Sequence, residues 1–154
     1  MKYAFRSASM SAPEWFIDAP NGSASGDPWT DAEKEAVRAA VATYKTKIRP
    51  LVRKADLYHI FPRPDNQGWD GIQYYDPVTA KGVVFIFKPD SRNDTQTIKL
   101  KGLAPARLYR LTFEDGTNPQ IDTTGADLTG TGIEVVLEGT FVSELIFIEG
   151  IAPE

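Results

Sequence analysis

The chain has no cysteine and only one histidine among its 154 residues. Without cysteine it can form no disulfide, hold no thiolate-bound metal and use no thiol nucleophile. A metal site built on the single histidine, His59, would need partners that the sequence does not assign, so no metal and no cofactor is expected. Long apolar runs are also lacking. None approaches the roughly 18 residues needed to span a bilayer, and no membrane partner is expected. The opening Met1-Lys2-Tyr3-Ala4-Phe5-Arg6 has no apolar core and does not read as a secretory leader. Excess positive charge is missing too. A net charge of -4 argues against a binder of phosphate backbones, so nucleic acid is not an expected partner. A net value does not exclude a local basic patch.

What is present describes an ordinary globular domain, with 42% hydrophobic and 25% charged residues. A domain of this length buries roughly two thirds of its unfolded surface, enough for a core without staples. Three parts are expected. Residues 1–29 read as an irregular segment with Trp15, Phe16 and Ile17 ahead of a Gly-, Ser- and Pro-rich loop. Residues 30–54 carry one helix. Thr30 and Glu33 match a capping box, and Val37, Ala40, Val41, Tyr44, Ile48 and Leu51 recur at helical spacing. Pro50 is expected to end or kink that helix, placing it at about Asp31 to Ile48. Arg49, Arg53 and Lys54 sit near the C-terminal end, where the helix dipole favours cations.

Residues 55–154 read as short strands and turns. Expected strands are Asp56–Phe61, Gly71–Asp76, Gly82–Lys88, Gln96–Lys101, Leu108–Glu114, Ile133–Leu137 and Glu144–Glu149. The continuous apolar run Val83 to Phe87 should be central. This pattern predicts a mainly β fold, an antiparallel β-sandwich of Greek-key type preceded by one long helix.

Little in the chain points to catalysis. His59 lies inside a strand pattern with no serine nucleophile motif beside it, so a half-buried structural role is the simpler reading. Glycosidases need two carboxylates facing a sugar. Asp65, Asp70, Asp76, Asp90, Asp94, Glu114, Asp115, Asp122 and Asp127 are plentiful, but most neighbour turn formers and suit turn duty. Gly125, Gly130 and Gly132 lack the lysine of a phosphate loop and read as turn glycines with positive φ. Trp69, Tyr74 and Tyr75 are the candidate carbohydrate-binding residues, since exposed rings could stack on a sugar. Burial in the core is the competing reading. Tyr74 and Tyr75 must point to opposite faces of a strand, so at most one joins the main core.

A family resemblance rests on ordered segments. Tyr44-Lys45-Thr46-Lys47-Ile48-Arg49-Pro50-Leu51 leads into Ala55-Asp56-Leu57-Tyr58-His59-Ile60-Phe61-Pro62-Arg63-Pro64. Leu100-Lys101-Gly102-Leu103-Ala104-Pro105, Leu108-Tyr109-Arg110-Leu111 and Thr124-Gly125-Ala126-Asp127-Leu128 follow, with Gly132-Ile133 after them. The set resembles the junction and C-terminal domain of melibiase-type, α-galactosidase-like glycoside hydrolases. That resemblance implies the last helix of a (β/α)8 catalytic barrel followed by an antiparallel sandwich. It also implies that Tyr3 to Ala8 correspond to the barrel's last βα region. The family's catalytic aspartates lie at barrel strand ends, and no carboxylate here matches their motifs, so no catalytic residue is carried over.

Three readings follow. The first is a non-catalytic accessory domain whose partner is the catalytic barrel of a parent glycosidase. It implies an exposed apolar patch for docking, which would also serve a homo-oligomer. The second is a carbohydrate-binding module using Trp69, Tyr74 or Tyr75. The third is a small catalytic domain using His59 with an aspartate. The helix is expected to pack on the strands, with Trp15 and Phe16 nearby.

Overall fold

The computed structural model describes residues 2–11, 29–65 and 67–151; Trp15 and Phe16 lie outside them. Helix α1 spans Lys2–Ala8. Helix α2 spans Asp31–Thr43 and continues through a π turn, Tyr44–Ile48, into a short helix α3, Arg49–Val52. The strands are β1 Asp56–His59, β2 Asp70–Asp76, β3 Lys81–Lys88, β4 Thr95–Ile98, β5 Leu108–Phe113, β6 Ile121–Thr124, β7 Ile133–Val136 and β8 Val142–Ile151, with helix α4, Gly125–Gly130, after β6.

The fold is mainly β and antiparallel. A six-stranded sheet has the order β1-β2-β3-β8-β5-β6, and β4 pairs with β7 in a second sheet. Strand β3 lies inside the larger sheet, as the run Val83 to Phe87 requires, and these five residues are at most 3% exposed. Their alternation serves two cores. Val84 and Ile86 join Tyr109, Leu111, Ile146 and Ile148 against Ile98, Leu100, Leu128, Ile133 and Val135 of the second layer. Val83, Phe85 and Phe87 face the other way, with Tyr74 and Leu145, against Ile48 and Leu51 of the helical run. A strand covered on both faces needs apolar residues at consecutive positions. Each such side chain contributes about 1.5–3 kcal/mol relative to exposure.

The helix therefore packs on the strands. It starts where the capping box places it: Glu33 N–H donates to Thr30 Oγ1 (3.3 Å), and Thr30 N–H donates to Glu33 Oε2 (2.9 Å). It does not stop before Pro50. The π turn lets Arg49 N–H reach back to the Tyr44 carbonyl, which places Pro50 at the start of α3. Proline is tolerated in a first helical turn because its missing N–H would have no partner there. An inserted π turn thus replaces the expected end.

Residues 1–29 are not irregular throughout, since Lys2–Ala8 is helical. The positive φ expected of three glycines holds only for Gly132, at 82°. Gly125 and Gly130 lie in α4, capped by Thr124, whose Oγ1 accepts from Asp127 N–H (3.1 Å). At Gly125 the constraint is space: a Cβ there would overlap the Ala104 carbonyl oxygen.

Candidate functional site

The most concentrated polar constellation forms where α1 meets the sheet. Arg6 is the buried residue of α1, at 7% exposure. Its Nη1 donates to Asp115 Oδ2 (2.9 Å) and to the Ser143 carbonyl (2.6 Å), and its Nη2 donates to Glu114 Oε2 (3.0 Å). Nη2 also lies 3.7 Å from Glu144 Oε1. Lys2 Nζ adds a 2.7 Å bond to Asp115, and Thr43 Oγ1 of α2 donates to Glu114 Oε1 (2.9 Å). One cluster thus ties α1 and α2 to β8 and to the end of β5.

Glu144 is fully buried and held by its own donors. Leu145 N–H (2.8 Å), Asp115 N–H (3.1 Å) and Thr117 Oγ1 (2.7 Å) all reach its carboxylate. A buried charge is tolerable only when paired and hydrogen-bonded in this way. Burial works to raise the Asp115 carboxyl, but the bonds and charges of Arg6 and Lys2 outweigh it and hold the group below its ordinary value. Burial works to lower Arg6, and Asp115 and Glu114 more than offset that. These carboxylates act as acceptors for fixed cations and N–H groups. The arrangement is a clamp that holds α1 against the sheet.

Several other carboxylates have local duties of their own. Asp65 accepts from the backbone N–H of Gln67 and Gly68, and Asp76 accepts from Val78 N–H, so both serve turns. Asp122 instead forms a two-pronged pair with Arg110 (2.9 and 2.7 Å). Asp94 pairs with the buried Lys88.

The three candidate sugar-binding aromatics lie indoors. Trp69 is 7% exposed, and its indole N–H donates to the Asn93 carbonyl (2.9 Å). Tyr75 is 1% exposed in the main core, where its hydroxyl shares a 2.8 Å hydrogen bond with that of Tyr109. Tyr74, 7% exposed, faces the helical layer and donates to the Met10 carbonyl (2.7 Å). A stacking platform needs an open ring face, and none of these three offers one. They are not brought together either, since Tyr74 and Tyr75 sit on opposite faces of β2.

His59 is exposed rather than half-buried. Strand β1 forms the sheet's edge, and only Tyr58 of its four residues is partly buried. The exposed large hydrophobic residues among those described are Leu57, Val78 and Phe141. Val78 and Phe141 lie at opposite ends of β3, so these three do not merge into one apolar patch. Among the described residues, no group of histidine, aspartate and glutamate is arranged to hold a metal ion. No described helix is long and apolar enough to cross a membrane.

Arg6 and Glu144 escape a reading by motif, because they are distant in sequence. One signal was available. Glu144 stands in phase with the inward-facing Ile146 and Ile148, and an inward carboxylate requires a partner.

Residues 69–148 match the model of the glycosyl hydrolase family 36 C-terminal domain. No curated protein matches the chain in sequence. Among solved structures, the chain is similar to the family 36 α-galactosidase AgaB of Geobacillus stearothermophilus, at 23% identity and a TM-score of 0.64 over 80% of this chain and 16% of that one. It is similar to an AgaA variant of the same organism in complex with stachyose, at 18% identity and a TM-score of 0.67 over 92% of this chain and 21% of that one. It is also similar to the α-galactosidase of Lactobacillus brevis, at 19% identity and a TM-score of 0.66 over 82% of this chain and 18% of that one. The chain thus spans about a fifth or less of the length of these enzymes. At such identities the structural likeness establishes the fold, and the family rests on the matched residues 69–148, just over half the chain: this protein belongs to the glycosyl hydrolase family 36 C-terminal domain family.

Proposed function

We propose that the chain is the non-catalytic accessory sandwich of an α-galactosidase-like glycoside hydrolase, and that it holds the catalytic barrel's last helical elements in place. The observation that carries this reading is the clamp at Arg6. It fixes α1 to the sheet through Asp115 and Ser143, and Thr43 brings α2 into the same cluster. Helix α2 supports the reading along the same face: Ala36, Ala40 and Thr43 line one cavity with Lys2, Phe5 and Arg6 of α1, so the two helices face each other beside the clamp. In this account α1 and α2 belong to the barrel's edge, and the sandwich sets their position.

The test is assembly in trans. A family 36 barrel shortened before its own sandwich should co-elute with the 154-residue chain on size exclusion, and its melting temperature should rise. An Arg6→Met chain should lose most of that effect. A barrel that neither co-elutes nor gains stability contradicts the reading.

A further inference from the structure

On the side of the helical run away from the Arg6 clamp, an open groove of about 1030 Å³ separates the π turn and α3 from β3 and β8. Its rim is basic: Lys45, Lys47, Arg49, Arg53, Lys54 and Lys81 all line it. Two acids share the groove, and both are engaged. Glu149 lies 3.4 Å from Lys81, and Asp76 accepts from Val78 N–H and Thr79 Oγ1. The described residues provide no ion-pair partner for Lys45, Lys47, Arg49 or Arg53. In a chain of net charge -4, this is a concentrated field of the opposite sign.

The helix dipole accounts for part of it, since cations are favoured in a last helical turn. That covers Arg49, Arg53 and Lys54. Lys45 and Lys47 lie further back, and Lys81 is on a strand. Lys45, Arg49 and Arg53 also follow one another at intervals of four, where like charges repel. The groove floor is of a different character, with Pro50, Leu51, Phe147 and Ile148 in its lining. Lys47 Nζ sits 4.5 Å from the centre of the Phe147 ring.

We infer that this groove is a docking site for an acidic, partly apolar peptide segment of a partner polypeptide. Unpaired cations on the rim match carboxylates, and the floor matches intervening apolar side chains. Complementary charge of this kind steers and registers a partner. A long polyphosphate suits the surface less well. Its phosphates would run beyond the groove onto an acidic molecule, and Phe147 is covered by Lys47 rather than open for base stacking. The inference is independent of the accessory-domain reading, because the partner is defined by its chemistry alone.

The probe is a fluorescein-labelled peptide alternating glutamate with leucine, followed by anisotropy on the full chain. Saturable binding is expected. It should weaken steeply between about 0.05 and 0.5 M salt, as screening requires. The triple variant Lys45→Glu, Lys47→Glu and Arg53→Glu should weaken it about tenfold or more. All three side chains are exposed, so the variant should stay folded, melting slightly below the parent through the lost dipole and Phe147 contacts. The reversal Lys99→Glu, exposed but outside the groove, should leave binding unchanged. Three results would each overturn the proposal: no binding by the parent chain, equal binding by the triple variant, or tighter binding of an oligonucleotide than of the peptide.

Discussion

Arg6 Nη2 and Glu144 Oε1 lie 3.7 Å apart, joining the first helix to the interior of β8. The guanidinium side chain is 8% exposed and the carboxylate 0%. The pair is buried, and its loss takes the nearest cation from Glu144 and one donor each from Asp115 and the Ser143 carbonyl.

Arg6→Met should therefore destabilise the chain by about 3 kcal/mol. Urea denaturation measures this as a lowered midpoint at unchanged slope. Hydrogen exchange should localise the damage. Amides of α1 should exchange faster, while those of Val83 to Phe87, buried on both faces, stay protected. A uniform loss of protection would show that the clamp holds the whole fold rather than the helix.

The same cluster should set the acid limb of stability. In the folded chain the Asp115 carboxyl lies below its ordinary value of 3.8, because Arg6 and Lys2 outweigh the opposing effect of burial. Its contribution is fully present above the unfolded value and is lost as pH falls through the folded one. Melting temperature followed downward from about pH 5 should fall as that group protonates. Asp115→Asn should be less stable at neutral pH and show a flatter acid limb. An unchanged limb would remove Asp115 from the account.

Two tyrosines share one buried hydrogen bond, yet their substitutions should differ. Tyr109 Oη also accepts from Ala104 N–H (3.0 Å), so Tyr109→Phe leaves a backbone donor without its acceptor. That should cost about 2 kcal/mol. Tyr75→Phe leaves the Ala104 bond in place and should cost about 1 kcal/mol. Thermal unfolding of the pair gives the order, and a reversed order would place the more important acceptor on Tyr75.

Gly125 and Gly130 lie in one short helix and should respond oppositely to alanine. A Cβ at Gly125 meets the Ala104 carbonyl, whereas at Gly130 it meets open space. Gly125→Ala should destabilise by about 1–3 kcal/mol through overpacking. Gly130→Ala should be neutral or gain about 0.5 kcal/mol from helix propensity. Denaturation midpoints separate the two, and a stabilised Gly125→Ala would contradict the packing at α4.

Legibility in the sequence followed physical strength. The central strand was readable because burial on both faces demands the unbroken run Val83 to Phe87, and the helix start because Thr30 and Glu33 are close in sequence. Strand β6 was missed, since Ile121-Asp122-Thr123-Thr124 carries one apolar residue and sits at a sheet edge. Helix α4 was missed because Gly125 and Gly130 oppose it by propensity, while the Thr124 cap and buried Leu128 decide for it. The Arg6 clamp joins residues distant in sequence, and sequence order does not pair them. The aromatics at 69, 74 and 75 were correctly prominent as large side chains. Their burial is set by the second layer and the helix, which a strand pattern alone does not show.

The proposed role makes the sandwich a support for a glycosidase barrel and not itself the catalyst. The most direct measurement is hydrolysis of 4-nitrophenyl α-galactoside by the purified 154-residue chain. With that role, no nitrophenol is released above the buffer rate at any protein concentration. Turnover that scales with the chain and is abolished in a folded Glu114→Gln or Asp115→Asn variant would contradict it.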